Sequence, residues 1–106
     1  MWEVKGTDLK MVEGDFGIKL PISVDDATLT ANDVLRLTIK SAMNGETLVE
    51  KEYTNIQNNT IDFEITEAET ELLPVGVYVY SLDWYQSGAF MGNLIPSSIF
   101  KVVDKA

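Results

Sequence analysis

Hydrophobic and polar residues alternate with a period of two along most of the chain, the pattern of strands buried on one face. Phe16, Ile18, Leu20, Ile22 and Val24 alternate with Gly17, Lys19, Pro21 and Ser23. This predicts a long strand whose five apolar positions point inward. Pro21 falls on the outward side and has no N–H to donate, so the strand is expected at a sheet edge or at a local break in pairing. Leu35, Leu37 and Ile39 alternate with Arg36, Thr38 and Lys40 in a second strand, and residues 47–54 read as a third. Asn44-Gly45 between them favours the left-handed angles of a tight hairpin turn. Ile61, Phe63 and Ile65 mark a fourth strand; Tyr78, Tyr80, Leu82 and Trp84 mark a fifth.

After the turn signal Gln86-Ser87-Gly88, two short strands are expected near residues 89–95 and 98–103, interrupted at Pro96. Residues 2–12 add another, broken around Gly6-Thr7. One segment leaves the period. Thr66 and Glu69 have capping-box spacing before Leu72-Leu73, and Pro74 stops continuation. It predicts a single helical turn crossing between strands, with the Thr66 hydroxyl accepting from a backbone N–H near Glu69. About seven short strands at near-regular spacing predict an all-β, antiparallel β-sandwich filling residues 1–106 as one domain. Its core is expected to contain Phe16, Ile18, Leu20, Leu35, Leu37, Ile39, Ile61, Phe63, Ile65, Tyr78, Tyr80, Leu82 and Phe100.

Composition narrows the chemistry. The 106 residues are 45% hydrophobic and 24% charged, enough apolar material for a core without staples. Cysteine and histidine are both absent. That removes disulfides, thiol nucleophiles, histidine bases and the usual zinc ligand sets. Seventeen acidic against eight basic residues give a net charge of −9, and Arg36 is the only arginine. Such a chain repels polyphosphates, so neither nucleic acid nor an anionic membrane is an expected partner. No apolar run approaches a membrane span, and the opening Met1-Trp2-Glu3-Val4-Lys5-Gly6 lacks the apolar stretch of a signal peptide.

The remaining candidate chemistry is weak. Asp25, Asp26 and Asp33 cluster around a loop and offer oxygen ligands, but not at calcium-loop spacing, and Asp in such a loop is ordinary turn chemistry. Asp62, Glu64, Glu67, Glu69 and Glu71 form an acidic run in which Asp62 and Glu64 share a strand face, as a glycosidic carboxylate pair would require. That face lies opposite Ile61, Phe63 and Ile65, so it reads as solvated surface. Asn58-Asn59-Thr60 matches a glycosylation sequon but reads as a turn. No catalytic, cofactor-binding or metal-ligating residue is expected.

A different feature stands out in the last third. Val77, Val79 and Tyr85 share the face opposite the Tyr78–Trp84 ladder, and Met91, Ile95, Ile99 and Val103 add apolar positions of unassigned direction. A strand region apolar on both faces is either covered or used in assembly, and a domain of this size has little material for a second cover. Val77, Val79, Tyr85 and Met91 are therefore the candidate interface, with a homo-oligomer as one outcome.

The order of signals also resembles a family. Gly14-Asp15-Phe16 opens the first strand, Leu29-Thr30-Ala31-Asn32-Asp33 leads into Leu35–Lys40, and Ile61–Ile65 precedes the short crossing. Leu73-Pro74-Val75-Gly76-Val77-Tyr78-Val79-Tyr80 completes the series before Ile99-Phe100-Lys101-Val102. This is similar to the immunoglobulin-like domains of bacteriophage tail and prophage structural proteins, and closest to the amino-terminal domain of the baseplate upper protein of phages of Gram-positive bacteria. The resemblance runs from about Glu13 to Val103. It implies a non-catalytic assembly module without cofactors, bound to other tail or baseplate proteins. It also implies a place in the virion, and in the bacterial cytoplasm before assembly. The alternative from the residues is a ligand-binding sandwich such as a carbohydrate-binding module.

Overall fold

A computed structural model describes residues 2–24, 28–30 and 32–104. The described residues form an all-β sandwich with eight strands. In order these are β1 (Trp2–Lys5), β2 (Asp8–Val12), β3 (Leu20–Ser23), β4 (Asp33–Lys40), β5 (Thr47–Tyr53), β6 (Thr60–Phe63), β7 (Gly76–Gln86) and β8 (Ala89–Val103). One helical turn, α1 (Glu67–Thr70), lies between β6 and β7. Six strands form one sheet in the order β1-β2-β8-β7-β4-β5, and β3 and β6 pair as a second, smaller sheet. The chain therefore crosses between sheets four times, after β2, β3, β5 and β6. The pairing is not wholly antiparallel as expected. β2 runs parallel to β8, with Leu9 opposite Phe100 and Val12 opposite Val103; no hairpin joins them, since β2 leads to the other sheet and β8 is reached from β7.

The inward face of the large sheet follows the predicted parity. Leu35, Leu37, Ile39, Tyr80, Leu82 and Phe100 are essentially inaccessible, as are Phe63 and Ile65 from the other side. Trp2, Phe63, Phe100 and Tyr80 form a chain of ring contacts with centroid separations of 5.1 to 6.3 Å, mostly edge to face. Each fully buried ring or aliphatic side chain contributes roughly 1.5–3 kcal/mol. Two ring hydroxyls of β7 find backbone partners: Tyr80 donates to the Thr7 carbonyl and Tyr78 to the Pro74 carbonyl. The second bond closes the corner between α1 and β7. Burial, then Asp8, pushes the Tyr80 phenol up to about 12.

The helical turn matches its sequence signal. The Thr66 hydroxyl accepts from the Glu69 N–H at 3.3 Å, and the Glu69 carboxylate accepts from the Thr66 N–H at 2.9 Å. Asn58 and Asn59 both have positive φ, at 54° and 52°, in the turn before β6. The Asn59 carbonyl accepts from the Val24 N–H and its side-chain oxygen from the Leu29 N–H, so this turn is tied to both residues.

Three further expectations are corrected. The strand of residues 16–24 shrinks to β3, and Phe16 and Ile18 are 49% and 45% exposed. Gly14 and Gly17 have φ of 84° and 74°, which bends the chain away from an extended course before Leu20. Leu20 and Ile22 are half-buried, and Pro21 sits on a strand whose partner is β6 alone, consistent with an edge position. The two carboxy-terminal strands are one 15-residue strand, β8, carried past Pro96 by irregular pairing with β7 near Leu82. Finally, neither Asn44 nor Gly45 adopts a left-handed conformation. The loop closes instead through Gly45 N–H to the Ala42 carbonyl, which places the glycine at the last position of an ordinary turn.

Candidate functional site

The outward face of the large sheet can be read row by row from strand register. Lys10, Lys101 and Val77 lie side by side on β2, β8 and β7. The next row along β7 holds Ile99, Val79 and Lys40. Ser81, Thr38 and Glu50 follow, then Asn93, Asp83, Arg36 and Glu52. The last row is Phe90, Tyr85 and Val34. Alternation alone puts these residues outside, since their neighbours Tyr78, Tyr80, Leu82 and Phe100 fill the core.

Of the predicted interface residues, Val77 is 56% exposed and Met91 47%, while Val79 and Tyr85 are half-buried. Val77, Val79 and Tyr85 do share one face. They do not form one patch. Eight residues of extended chain separate Val77 from Tyr85, roughly 25 Å at about 3.3 Å per residue. Met91 is the bulged residue between the Tyr85–Phe90 and Trp84–Gly92 pairs, so β8 shifts phase there. That phase shift is also why the direction of Met91 is invisible to period-two counting.

The face therefore has two apolar ends and a polar middle. At one end Val77 and Ile99 are exposed beside Lys101. At the other, Phe90 is 56% exposed and packs edge-on against Tyr85, with centroids 5.6 Å apart. Arg36 lies over the opposite side of this cluster, 4.7 Å from the Tyr85 ring centre. Its Nε and Nη2 both donate to Glu52, at 3.2 and 2.7 Å, and Glu50 lies 3.6 Å from Nε. Next to it Asn93 donates to Asp83 at 2.5 Å. The candidate interface read from sequence left out Phe90, and the Arg36–Glu52 pair was not foreseen. The sole arginine at the same parity as Thr38 and Lys40 was the available signal.

The acidic candidates separate. Asp25 and Asp26 lie outside the described residues. Asp33 is fully buried and structural: its carboxylate accepts from the Thr30 N–H at 2.7 Å, the Thr30 hydroxyl at 3.2 Å and the Trp84 indole N–H at 3.0 Å. The bond from the Thr30 backbone holds this carboxyl below its ordinary value against the opposing effect of burial. Asp62 and Glu67 are exposed. Glu69 is drawn inward, where Lys51 reaches its carboxylate at 2.9 Å and the Glu64 carbonyl at 2.6 Å. Burial pushes Glu69 up, but the bonds from the Thr66 N–H and Lys51 outweigh it and leave the carboxyl lowered. Glu69 is thus committed to capping and to fastening α1. Beside it the Tyr53 hydroxyl is buried without a hydrogen-bond partner, and burial together with Glu69, Glu64 and Asp62 raises its pKa.

A cleft of about 430 Å³ opens between β3 and the large sheet, lined by Leu9, Leu20, Ile22, Leu82, Leu94 and Ile95 among others. Among the described residues its lining holds no carboxylate or ammonium group. Among the described residues no group of three or more acidic side chains is placed to hold a metal ion, and no helix is long and apolar enough to cross a membrane. Comparison with family models, with curated proteins and with solved structures finds no match to this chain.

Proposed function

We propose that this chain is a non-catalytic assembly module of a bacteriophage or prophage tail or baseplate, and that it binds protein partners through the outward face of the six-stranded sheet. The observation that carries the reading is the exposure of Val77, Ile99, Met91 and Phe90 on strands whose other face already fills the core. Nothing in the described residues covers them, and apolar surface of this kind is the usual raw material of protein contacts. The sandwich connectivity, with its tyrosine-closed corner at Tyr78, supports the resemblance to immunoglobulin-like tail domains. The absence of histidine and cysteine and the commitment of Glu69 and Asp33 to structural bonds leave no evident activated group.

The test is incorporation into tail particles. Wild type should co-sediment with particles assembled in its presence. A Val77→Glu/Phe90→Glu variant of unchanged melting temperature should not. Equal incorporation of the variant overturns the reading of this face, and failure of the wild type to co-sediment overturns the tail assignment.

A second reading rests on one specific observation. Phe90 stands exposed beside Tyr85, with the planar Asp83–Asn93 and Arg36–Glu52 pairs in the adjacent row. An aromatic surface next to planar polar groups suits a sugar ring. Saturable glycan binding that disappears in Phe90→Ala would favour a carbohydrate-binding module instead.

A further inference from the structure

The six-stranded sheet ends in β1, which pairs with β2 and, among the described residues, has no strand on its other side. The hairpin sets the hydrogen-bonding phase of that free edge. Gly6-Thr7 is a two-residue loop, Gly6 has φ of 63°, and Lys5 faces Asp8 across it. Closing so tight a turn takes the Asp8 N–H to the Lys5 carbonyl, so Lys5 and Glu3 direct their peptide groups toward β2. Trp2 and Val4 direct theirs to the free edge. Glu3, Val4 and Lys5 are all exposed, Val4 by 55%. Glu3 and Lys5 lie on the outward face of the sheet, in the rows of Lys10 and Asp8, and Lys10 reaches Glu3 at 2.6 Å. Val4 lies on the inward face. Ile18, also exposed, is tied to this strand by the Trp2 indole N–H, which donates to its carbonyl at 2.8 Å.

We propose that β1 of one copy of this chain pairs antiparallel with β1 of a second copy, about a two-fold axis normal to the sheet at Val4, joining the two large sheets into one. A two-fold contact must be self-complementary, and the register decides whether it is. With the axis at Val4, Glu3 of each copy faces Lys5 of the other, on the same face of the joined sheet, giving two ion pairs. With the axis moved one residue either way, Glu3 falls on Glu3 or Lys5 on Lys5. The hydrogen-bonding phase agrees with the favoured register. The two Val4 residues form a hydrogen-bonded pair, each N–H donating to the other's carbonyl. Glu3 and the partner's Lys5 then form the closer, non-hydrogen-bonded pair, with Cα atoms about 4.5 Å apart. Across the junction the outward row runs Lys10, Glu3, then Lys5 and Asp8 of the second copy, alternating in sign. On the inward face the two Val4 side chains meet and remove apolar surface from water. Short, charged edge strands ordinarily discourage pairing. These charges do so in the two neighbouring registers and favour this one. The net charge of −9 per copy is screened over about 8 Å at physiological ionic strength, whereas the facing pairs are in contact. The contact uses neither Val77 nor Phe90 and so stands apart from the assembly face.

The experiment is a charge exchange read by light scattering and sedimentation. Wild type should dimerise below about 1 mM. Glu3→Lys opposes lysines at both symmetric contacts, and Lys5→Glu opposes carboxylates. Each variant alone should dimerise more weakly by about tenfold or more. Their equimolar mixture pairs opposite charges at both contacts and should dimerise more tightly than either, a rescue that a fault within one copy's β1–β2 hairpin would not show. Val4→Pro removes an N–H that β2 does not use, and should abolish the dimer with a nearly unchanged melting temperature. A wild type that stays monomeric up to about 1 mM overturns the proposal. So does a mixture no tighter than its components, or a dimer indifferent to Val4→Pro. Particles that keep growing with concentration also overturn it, since they mark an open contact such as β1 on the far edge β5. Val77→Glu/Phe90→Glu should leave the dimer intact. A dimer lost in that variant and kept in the edge variants puts the contact on the outward face and overturns this one. Incorporation into tail particles is scored separately: a monomer still recruited through Val77 and Phe90 removes the dimer and keeps the assembly reading.

Discussion

The two faces of the six-stranded sheet are built from the same strands and differ in almost everything else. On the inward face of β7, Tyr78, Tyr80 and Leu82 are buried against Phe63 and Phe100, and the ring hydroxyls are spent on backbone carbonyls. On the outward face, Val77 stays open and Tyr85 is covered by Arg36 and Phe90 only in part. The inward face holds the fold together. The outward face could change without the fold noticing, which makes its apolar side chains and its ordered charges informative about contacts with other molecules.

The sharpest way to break this comparison is at Phe100, inaccessible and touching three other rings' neighbourhood through Trp2, Phe63 and Tyr80. Phe100→Ala should cost about 3–5 kcal/mol, because both transfer free energy and cavity contribute. Denaturant titration measures it, and a loss under 1 kcal/mol would mean that the core is not where the geometry puts it. Asp33→Ala comes next. It strands the Thr30 and Trp84 donors, at about 1–3 kcal/mol. Because the Asp33 carboxyl is lowered in the folded state, its contribution is fully present above the unfolded value of about 4 and is lost as pH falls below it. Wild type should therefore lose more stability than Asp33→Ala between neutral pH and acid, and parallel pH curves would remove this account.

Thr66→Ala should cost about 1 kcal/mol through loss of the cap on α1. A variant as stable as wild type would show that Lys51 and Pro74 suffice to hold the crossing. Phe90→Ala on the outward face should be the smallest, within about 0.5 kcal/mol, despite removing as many atoms as Phe100→Ala. If it approached the cost of Phe100→Ala, the two faces would not be distinct in the sense argued here.

What could be read in advance follows the same division. Leu35, Leu37, Ile39, Tyr80 and Leu82 sit on strands with neighbours on both sides, where the pleat is regular and period two translates directly into burial. Thr66 and Glu69 were legible because a capping box is a local exchange of bonds. Phe16 and Ile18 carried the same alternation but failed, since Gly14 and Gly17 turn the backbone by positive φ, a property that hydropathy does not encode. Asp33 looked like a loop residue because its partners Thr30 and Trp84 are supplied by a neighbouring turn and by a strand far along the chain. Val77 and Tyr85 were rightly put on one face, but the bulge at Met91 and the row-by-row placement of charges required the register.

The parallel pairing of β2 with β8 has a mechanical consequence. β1 begins opposite Met11, at the same end of the sheet where β8 reaches Val102. Tension applied between the chain before Trp2 and the chain after Val103 therefore acts across the strands first, and should peel β1 from β2 one bond at a time at low force. Once β1 is gone, the pull enters at Asp8 and leaves at Val103, along the strand axis. The four register pairs from Leu9–Phe100 to Val12–Val103 then carry the load together in shear. An optical-trap trace should show a weak first step and a stronger second one; a single low-force event would contradict this. A sandwich wired in this way resists being drawn out along its own length, which is the direction in which a domain strung between two neighbours is pulled.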